Sequence, residues 1–177
     1  MRLGVLGMMM AAMVLLGPRA AFAERYGVAL INPDDPEGNP LGFLMVIDGR
    51  VFVSNEAGQD GWWIEREEKG YVVRITGRPR KHWYLTGDKQ GRVYLSQEPE
   101  EGSYWETQIR AGESVKSAFN VRGWKEGPRT LMVEKQASTY TDAAGKKYTV
   151  KRVRLMGDEK DEREKMLGFF RVMESSP

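Results

Sequence analysis

Beyond its first two dozen residues the chain never holds the 3.6-residue apolar period of an amphipathic helix over a useful length. Short apolar runs recur instead: Val28–Ile31, Phe43–Ile47, Val51–Val53, Tyr71–Ile75, Trp83–Leu85 and Val93–Leu95, parted by Gly, Pro, Asn and Asp. Runs of this length with turn formers between them predict strands of an all-β sandwich or barrel. Gly49 and Gly91 fall between paired runs, where a hairpin needs a residue that tolerates positive φ. Side chains alternate across a strand, so Val51 and Val53 share one face and Phe52 takes the other. Val93, Leu95 and Tyr94 repeat that arrangement.

The strands also repeat as written text. Gly49-Arg50-Val51-Phe52-Val53-Ser54-Asn55-Glu56 returns as Gly91-Arg92-Val93-Tyr94-Leu95-Ser96-Gln97-Glu98, 42 residues on. Trp63 and Trp105, which close the two units, are also 42 residues apart. Repetition at a fixed period points to a fold built from units, each a hairpin, a loop and an aromatic strand. A third closing pair is visible in Phe169-Phe170, after Gly168, as Trp62-Trp63 follows Gly61 and Tyr104-Trp105 follows Ser103. Leu131-Met132-Val133 echoes Leu44-Met45-Val46, and Gly145-Lys146-Lys147-Tyr148 is read as the degraded glycine block. The third spacing, 65 residues from Trp105 to Phe170, exceeds 42 by 23. That excess is expected mainly within Lys151 to Lys165, whose charged end reads as a solvated loop or a helical turn or two.

The N-terminus changes the picture of charge and location. Met1-Arg2, the apolar run Leu3 to Leu16, the break at Gly17-Pro18 and the small-x-small Ala21-Phe22-Ala23 form the pattern of a cleaved signal peptide, 1–23. A retained anchor is the competing reading, but the run is shorter than the roughly 20 residues a spanning helix needs. The chain has 27 basic and 25 acidic residues, and Arg2 and Arg19 leave with the leader, so residues 24–177 balance to zero. A general attraction to nucleic acid is then not expected. Cysteine is absent, so no disulfide supports this domain and no thiol chemistry is open to it. The expected product is secreted or periplasmic and not membrane-spanning after cleavage.

Three units of roughly forty residues, each ending in aromatic residues, resemble the β-trefoil. Tyr71 to Trp105, with Trp83-Tyr84-Leu85-Thr86-Gly87-Asp88 before Gly91-Arg92-Val93-Tyr94-Leu95-Ser96, looks like one unit of ricin-B-type lectins and fascin-like domains. The resemblance implies a six-stranded barrel capped by three hairpins about a pseudo-threefold axis. Its units would run over about 24–67, 68–112 and 113–177, the third enlarged. The sequence departs from the lectin pattern at the closing Gln-x-Trp triplet, where Gly61, Ser103 and Gly168 stand in place of Gln. Asp60 and Gly102 stand where those lectins carry an Asn. The scaffold therefore carries over better than the sugar site.

Candidate chemistry is sparse. Trp63, Trp105 and Phe170 are expected in the core, which leaves Trp62, Tyr104 and Phe169 on the other face, either as stacking platforms for a sugar or tucked under a hairpin. Asp48 with Trp62, and Asp88 with Tyr104, are the two pockets that the resemblance implies. Arg78 to His82, with Arg74 before it, is the one local basic concentration. Arg80 beside Trp83 could grip a sulfated or phosphorylated glycan; a solvated loop is the plainer reading. His82 is the single histidine, so multi-imidazole metal centres are excluded and no triad is organised around it. Asp34 to Pro40 is acidic but lacks the spacing of a calcium loop. No catalytic residue, metal site or cofactor is expected. The reading is a non-catalytic module that recognises extracellular carbohydrate through shallow aromatic and Asp pockets. The alternative is a protein-interaction role, such as a protease inhibitor or fascin-like matrix protein.

Overall fold

A computed structural model describes residues 25–32, 34–35, 38–56, 61–76, 81–107, 116–157, 166–168 and 170–174. The signal peptide expected at 1–23 lies outside them. In chain order the strands are β1 (Arg25–Leu30), β2 (Gly42–Ile47), β3 (Arg50–Ser54), β4 (Trp62–Glu67), β5 (Gly70–Thr76), β6 (His82–Gly87), β7 (Val93–Ser96), β8 (Tyr104–Glu106), β9 (Lys116–Ser117), β10 (Asn120–Val121), β11 (Thr130–Glu134), β12 (Ser138–Thr141), β13 (Lys147–Met156), β14 (Met166–Leu167) and β15 (Phe170–Glu174). Every pairing among them is antiparallel. The all-β expectation holds.

The ladders close on themselves. From β1 the hydrogen-bonded path runs through β2, β3, β13, β11, β10, β8, β5 and β4, and β4 returns to β1. This is a closed nine-strand antiparallel barrel with additional strands, and it corrects the β-trefoil expectation. The implied six-stranded barrel with hairpins set apart as caps does not describe the closed path, because hairpin strands belong to it. Two features draw them in. β1 divides one edge between β4, at Arg25 and Tyr26, and β2, at Ala29 and Leu30. β3 is joined to β13 over Phe52–Ser54. The additional strands flank the ring: β6 and β7 extend from β5, β12 and β14 lie on β13 and β11, and β15 follows β1 and pairs with β9. A closed ring leaves no free edge along its path.

Inside, the alternation of each hairpin strand sends its branched residues to one core. Val51, Val53, Val93, Leu95, Val153 and Leu155 join Trp62, Trp105, Phe119 and Phe170 there. Phe119 sits edge-on to both Trp105 and Phe170, with centroids 6.3 and 5.6 Å away, a favoured geometry for aromatic pairs. Each buried indole is satisfied: Trp62 Nε1 donates to the Leu44 carbonyl at 2.9 Å and Trp105 Nε1 to that of Leu85 at 3.0 Å.

Those two bonds correct the expected register of the aromatic pairs. Trp62, fully buried, is the counterpart of Trp105, whereas Trp63 is half-buried on the opposite face. From Gly49 to Trp62 is one residue shorter than from Gly91 to Trp105, and a one-residue shift exchanges the two faces of a strand. Phe170 is buried as expected, and Phe169 lies outside the described residues.

The third unit's extra length is also placed differently from expectation. Lys151 to Met156 is strand, and β12 with the first half of β13 forms a hairpin arm beyond the β11–β13 pairing. The charged 158–165 run lies outside the described residues. Gly145 marks the tip of this arm, at φ +83, with Lys147 and Tyr148 on its return strand. The arm folds back onto the first hairpin. Its Val150, Tyr140 and Tyr148 pack with Met45, Ile47 and Phe52 in a satellite core. Ser54 Oγ donates to the Thr149 carbonyl at 2.8 Å, and the Thr149 amide donates to Glu56 at 3.0 Å. Hydrogen bonding from the Thr149 side chain, and then from its amide, holds the Glu56 carboxyl below the usual carboxylate range.

Candidate functional site

Three hairpin strands, β3, β7 and β13, share one orientation. Since Val51/Val53, Val93/Leu95 and Val153/Leu155 face the core, the residues between and before them face outward. Those are Arg50 with Phe52, Arg92 with Tyr94, and Arg152 with Arg154. The strands are thus three copies of Arg-Val-x-(Val or Leu), the third beginning at Arg152. The third copy does not include Gly145: it has Lys151 where the first two have glycine, and the arm has been inserted before it. The signal that finds it is the Arg-Val pair with a branched residue two places on.

Between the three copies lies a depression of about 330 Å³, lined by Arg50, Phe52, Tyr94, Tyr140 and Arg152 among others. A second hollow of about 620 Å³, lined by Arg92 and Arg154, adjoins it and shares Val93, Tyr94 and Val153. The rings are held firmly. Phe52 and Tyr140 pack at 4.9 Å, with the Arg50 guanidinium 5.9 Å from the Tyr140 centroid. Tyr140 donates its hydroxyl to Asp48 at 3.1 Å, and Tyr94 donates to Glu100 at 2.7 Å. Burial, then the bond to Glu100, pushes the Tyr94 phenol up to about 12. Partial burial and the bond to Asp48 raise Tyr140 as well. Both rings are therefore neutral donors at physiological pH.

The arginines differ in what they meet. Arg92 Nε lies 2.6 Å from Asp88 and Arg154 Nε 4.0 Å from Glu134. Arg50 and Arg152 are exposed and meet no carboxylate among the described residues. A guanidinium fork without a partner is suited to bidentate recognition of a carboxylate, sulfate or phosphate.

The residues singled out in the sequence fall elsewhere. Asp48 occupies the two-residue turn at φ 50 and faces the arm, accepting from Tyr140 and from the Ala143 amide at 2.8 Å. Trp62 is sealed in the core, so the Asp48–Trp62 pocket does not form. Asp88 is engaged inside its own turn by the Gln90 and Arg92 amides, at 3.0 and 2.9 Å, and by the Arg92 side chain. Burial works against its charged form, but the bonds from Arg92 outweigh that and hold its carboxyl below the usual range. Tyr104 is half-buried with Lys69 5.5 Å from its centroid. Asp88 and Tyr104 thus present no free carboxylate beside an open ring. Trp83 is half-buried in β6 opposite Ile75, and His82 is exposed at the start of that strand. Arg80 lies outside the described residues, and Arg74 is paired with Glu65.

In the second unit, Ser103 and Gly102, which stand in the lectin triplet and Asn positions, have structural work. Ser103 Oγ bridges to Thr86 at 2.6 Å and accepts from the Glu100 amide at 2.9 Å. A Cβ on Gly102 would overlap the Gly87 carbonyl oxygen. Among the described residues no group of three or more His, Cys, Asp or Glu could hold a metal ion, and no helix is long and apolar enough to cross a membrane. Comparison with family models, with curated proteins and with solved structures found no match.

Proposed function

We propose that the protein is an exported, non-catalytic binding module that takes a carbohydrate in the depression between its three hairpin strands. The observation that carries this reading is the juxtaposition of held aromatic rings, Tyr94 and Tyr140, with the guanidinium groups of Arg50 and Arg152, which meet no carboxylate among the described residues. Ligand sites combine apolar or aromatic surface with a few placed polar groups. A pyranose has apolar C–H faces and polar edges, which match ring faces and guanidinium donors respectively. Export follows from the leader pattern at 1–23, and the even charge balance of residues 24–177 leaves recognition to this local surface.

The test is retention of the mature protein on a panel of immobilised polysaccharides, repeated with Tyr94→Ala and Tyr140→Ala. Retention by at least one polysaccharide, weakened by both substitutions in variants with wild-type circular dichroism, is expected. Retention that neither substitution alters would overturn the site, and absence of retention on every polysaccharide would overturn the reading.

A further inference from the structure

The depression carries a charge pattern that narrows the class of sugar. Among the described residues its two hollows are lined by four arginines, Arg50, Arg92, Arg152 and Arg154, and by no carboxylate. The acids that approach from neighbouring elements are each engaged: Asp48 by Tyr140 and Ala143, Asp88 by Arg92, Glu100 by Tyr94, and Glu134 near Arg154. Among the described residues Arg50 and Arg152 meet no carboxylate. They flank Phe52 on one face, since Arg152 pairs directly with Phe52 across β3 and β13 and Arg50 precedes Phe52 by two. This diagonal relation sets their backbones about 7 Å apart. Arg92 and Arg154 extend the same sign of charge along the adjoining hollow.

From this we infer that the ligand is an acidic polysaccharide, whose carboxylate or sulfate groups meet Arg50 and Arg152 while its sugar faces lie on Tyr94 and Tyr140. The inference rests on the carbohydrate-binding reading and adds the charge of the ligand. A run of arginines along an open surface fits a chain with repeated negative groups. Attraction of this kind is screened as ionic strength rises, because the Debye length falls to about 3 Å at 1 M salt.

The experiment measures binding of the mature protein to heparin, polygalacturonate and neutral dextran at low and high salt. Wild type is compared with Arg50→Gln, Arg152→Gln and, as a control outside the depression, Arg66→Gln. Heparin and polygalacturonate are the sulfated and carboxylated arms; binding to either, weakened by salt and absent for dextran, supports the inference. Each of Arg50→Gln and Arg152→Gln is expected to weaken it roughly tenfold, as loss of a charge-assisted hydrogen bond does, with Arg66→Gln unchanged. Because Arg50 and Arg152 are exposed, unchanged thermal unfolding in these variants separates lost binding from lost folding. Dextran bound as tightly as the acidic polymers, without salt dependence, overturns the acidic class and leaves the carbohydrate reading standing. No binding to any of the three, together with none on the wider panel, overturns both. A DNA duplex that competes better than heparin overturns the saccharide in favour of another polyanion.

Discussion

The first and second units use the same parts to different ends. Both bury one indole against a leucine carbonyl, and both carry an Asp at the hairpin turn. In the first unit the turn is two residues, Asp48-Gly49, both at positive φ, a geometry that closes a hairpin without side-chain help. Asp48's carboxylate is then free to reach Tyr140 and Ala143 on the arm. The second turn is longer, and Asp88 uses its carboxylate to cap the Gln90 and Arg92 amides. The arm tip follows the second pattern: Asp142 caps Ala144 and Lys146 at 3.0 and 2.8 Å, and Gly145 donates to the Asp142 carbonyl at 2.9 Å. Turn length therefore decides whether the acid serves its own hairpin or holds another.

The strongest way to break this parallel is through the indoles. Trp62→Ala and Trp105→Ala should each cost about 3–5 kcal/mol, since both open a large cavity and orphan a carbonyl. Trp63→Ala, on the half-buried face, should cost well under half of that in the same denaturant titration. Equal losses for Trp62→Ala and Trp63→Ala would break the one-residue shift between units. Next in size is Gly102→Ala, where the new methyl group meets the Gly87 backbone rather than a flexible side chain. A loss of about 2–4 kcal/mol is expected, in the range of overpacking and backbone strain.

The two acids separate the units more finely. Asp88→Ala leaves two turn amides without their acceptor and should lower stability by about 1–2 kcal/mol. Asp48→Gly preserves the positive-φ turn and should change global stability less, while hydrogen exchange at the Ala143 amide accelerates. A protected Ala143 amide in Asp48→Gly would show that the arm is held by its apolar contacts alone. The smallest effect concerns acid. Asp88 and Glu56 have folded values below their ordinary ones, so the stability they supply is complete above the ordinary carboxylate range. It is lost as pH falls through the lowered values. Unfolding temperatures at pH 7 and pH 3 should therefore differ less for Glu56→Gln than for wild type.

Much of the local structure was legible in the residues. The apolar runs lie on strands, Gly49 and Gly91 adopt the positive φ that the hairpins require, and Val51 and Phe52 part to opposite faces. The candidate site was less legible. Its rings and guanidinium groups lie on strands distant in sequence, and Arg152 stands behind the inserted arm, which hid the third Arg-Val copy from a fixed 42-residue offset. The same offset aligns Trp62 with Tyr104 and so points it to the wrong face, because a single residue of loop length cannot be seen in the alternation of the strand it precedes.

What the sequence determined by itself is the period-2 alternation, the hairpin turns and the repetition of the strand block, since these depend on neighbours within a few residues. The tertiary structure decided the rest. It closed the ladders into a nine-strand ring, chose which aromatic of each pair is buried, and set Arg50, Tyr94, Tyr140 and Arg152 around one depression. Those outcomes depend on loop lengths and on the pairing of β3 with β13, contacts between residues about a hundred positions apart that no local pattern encodes.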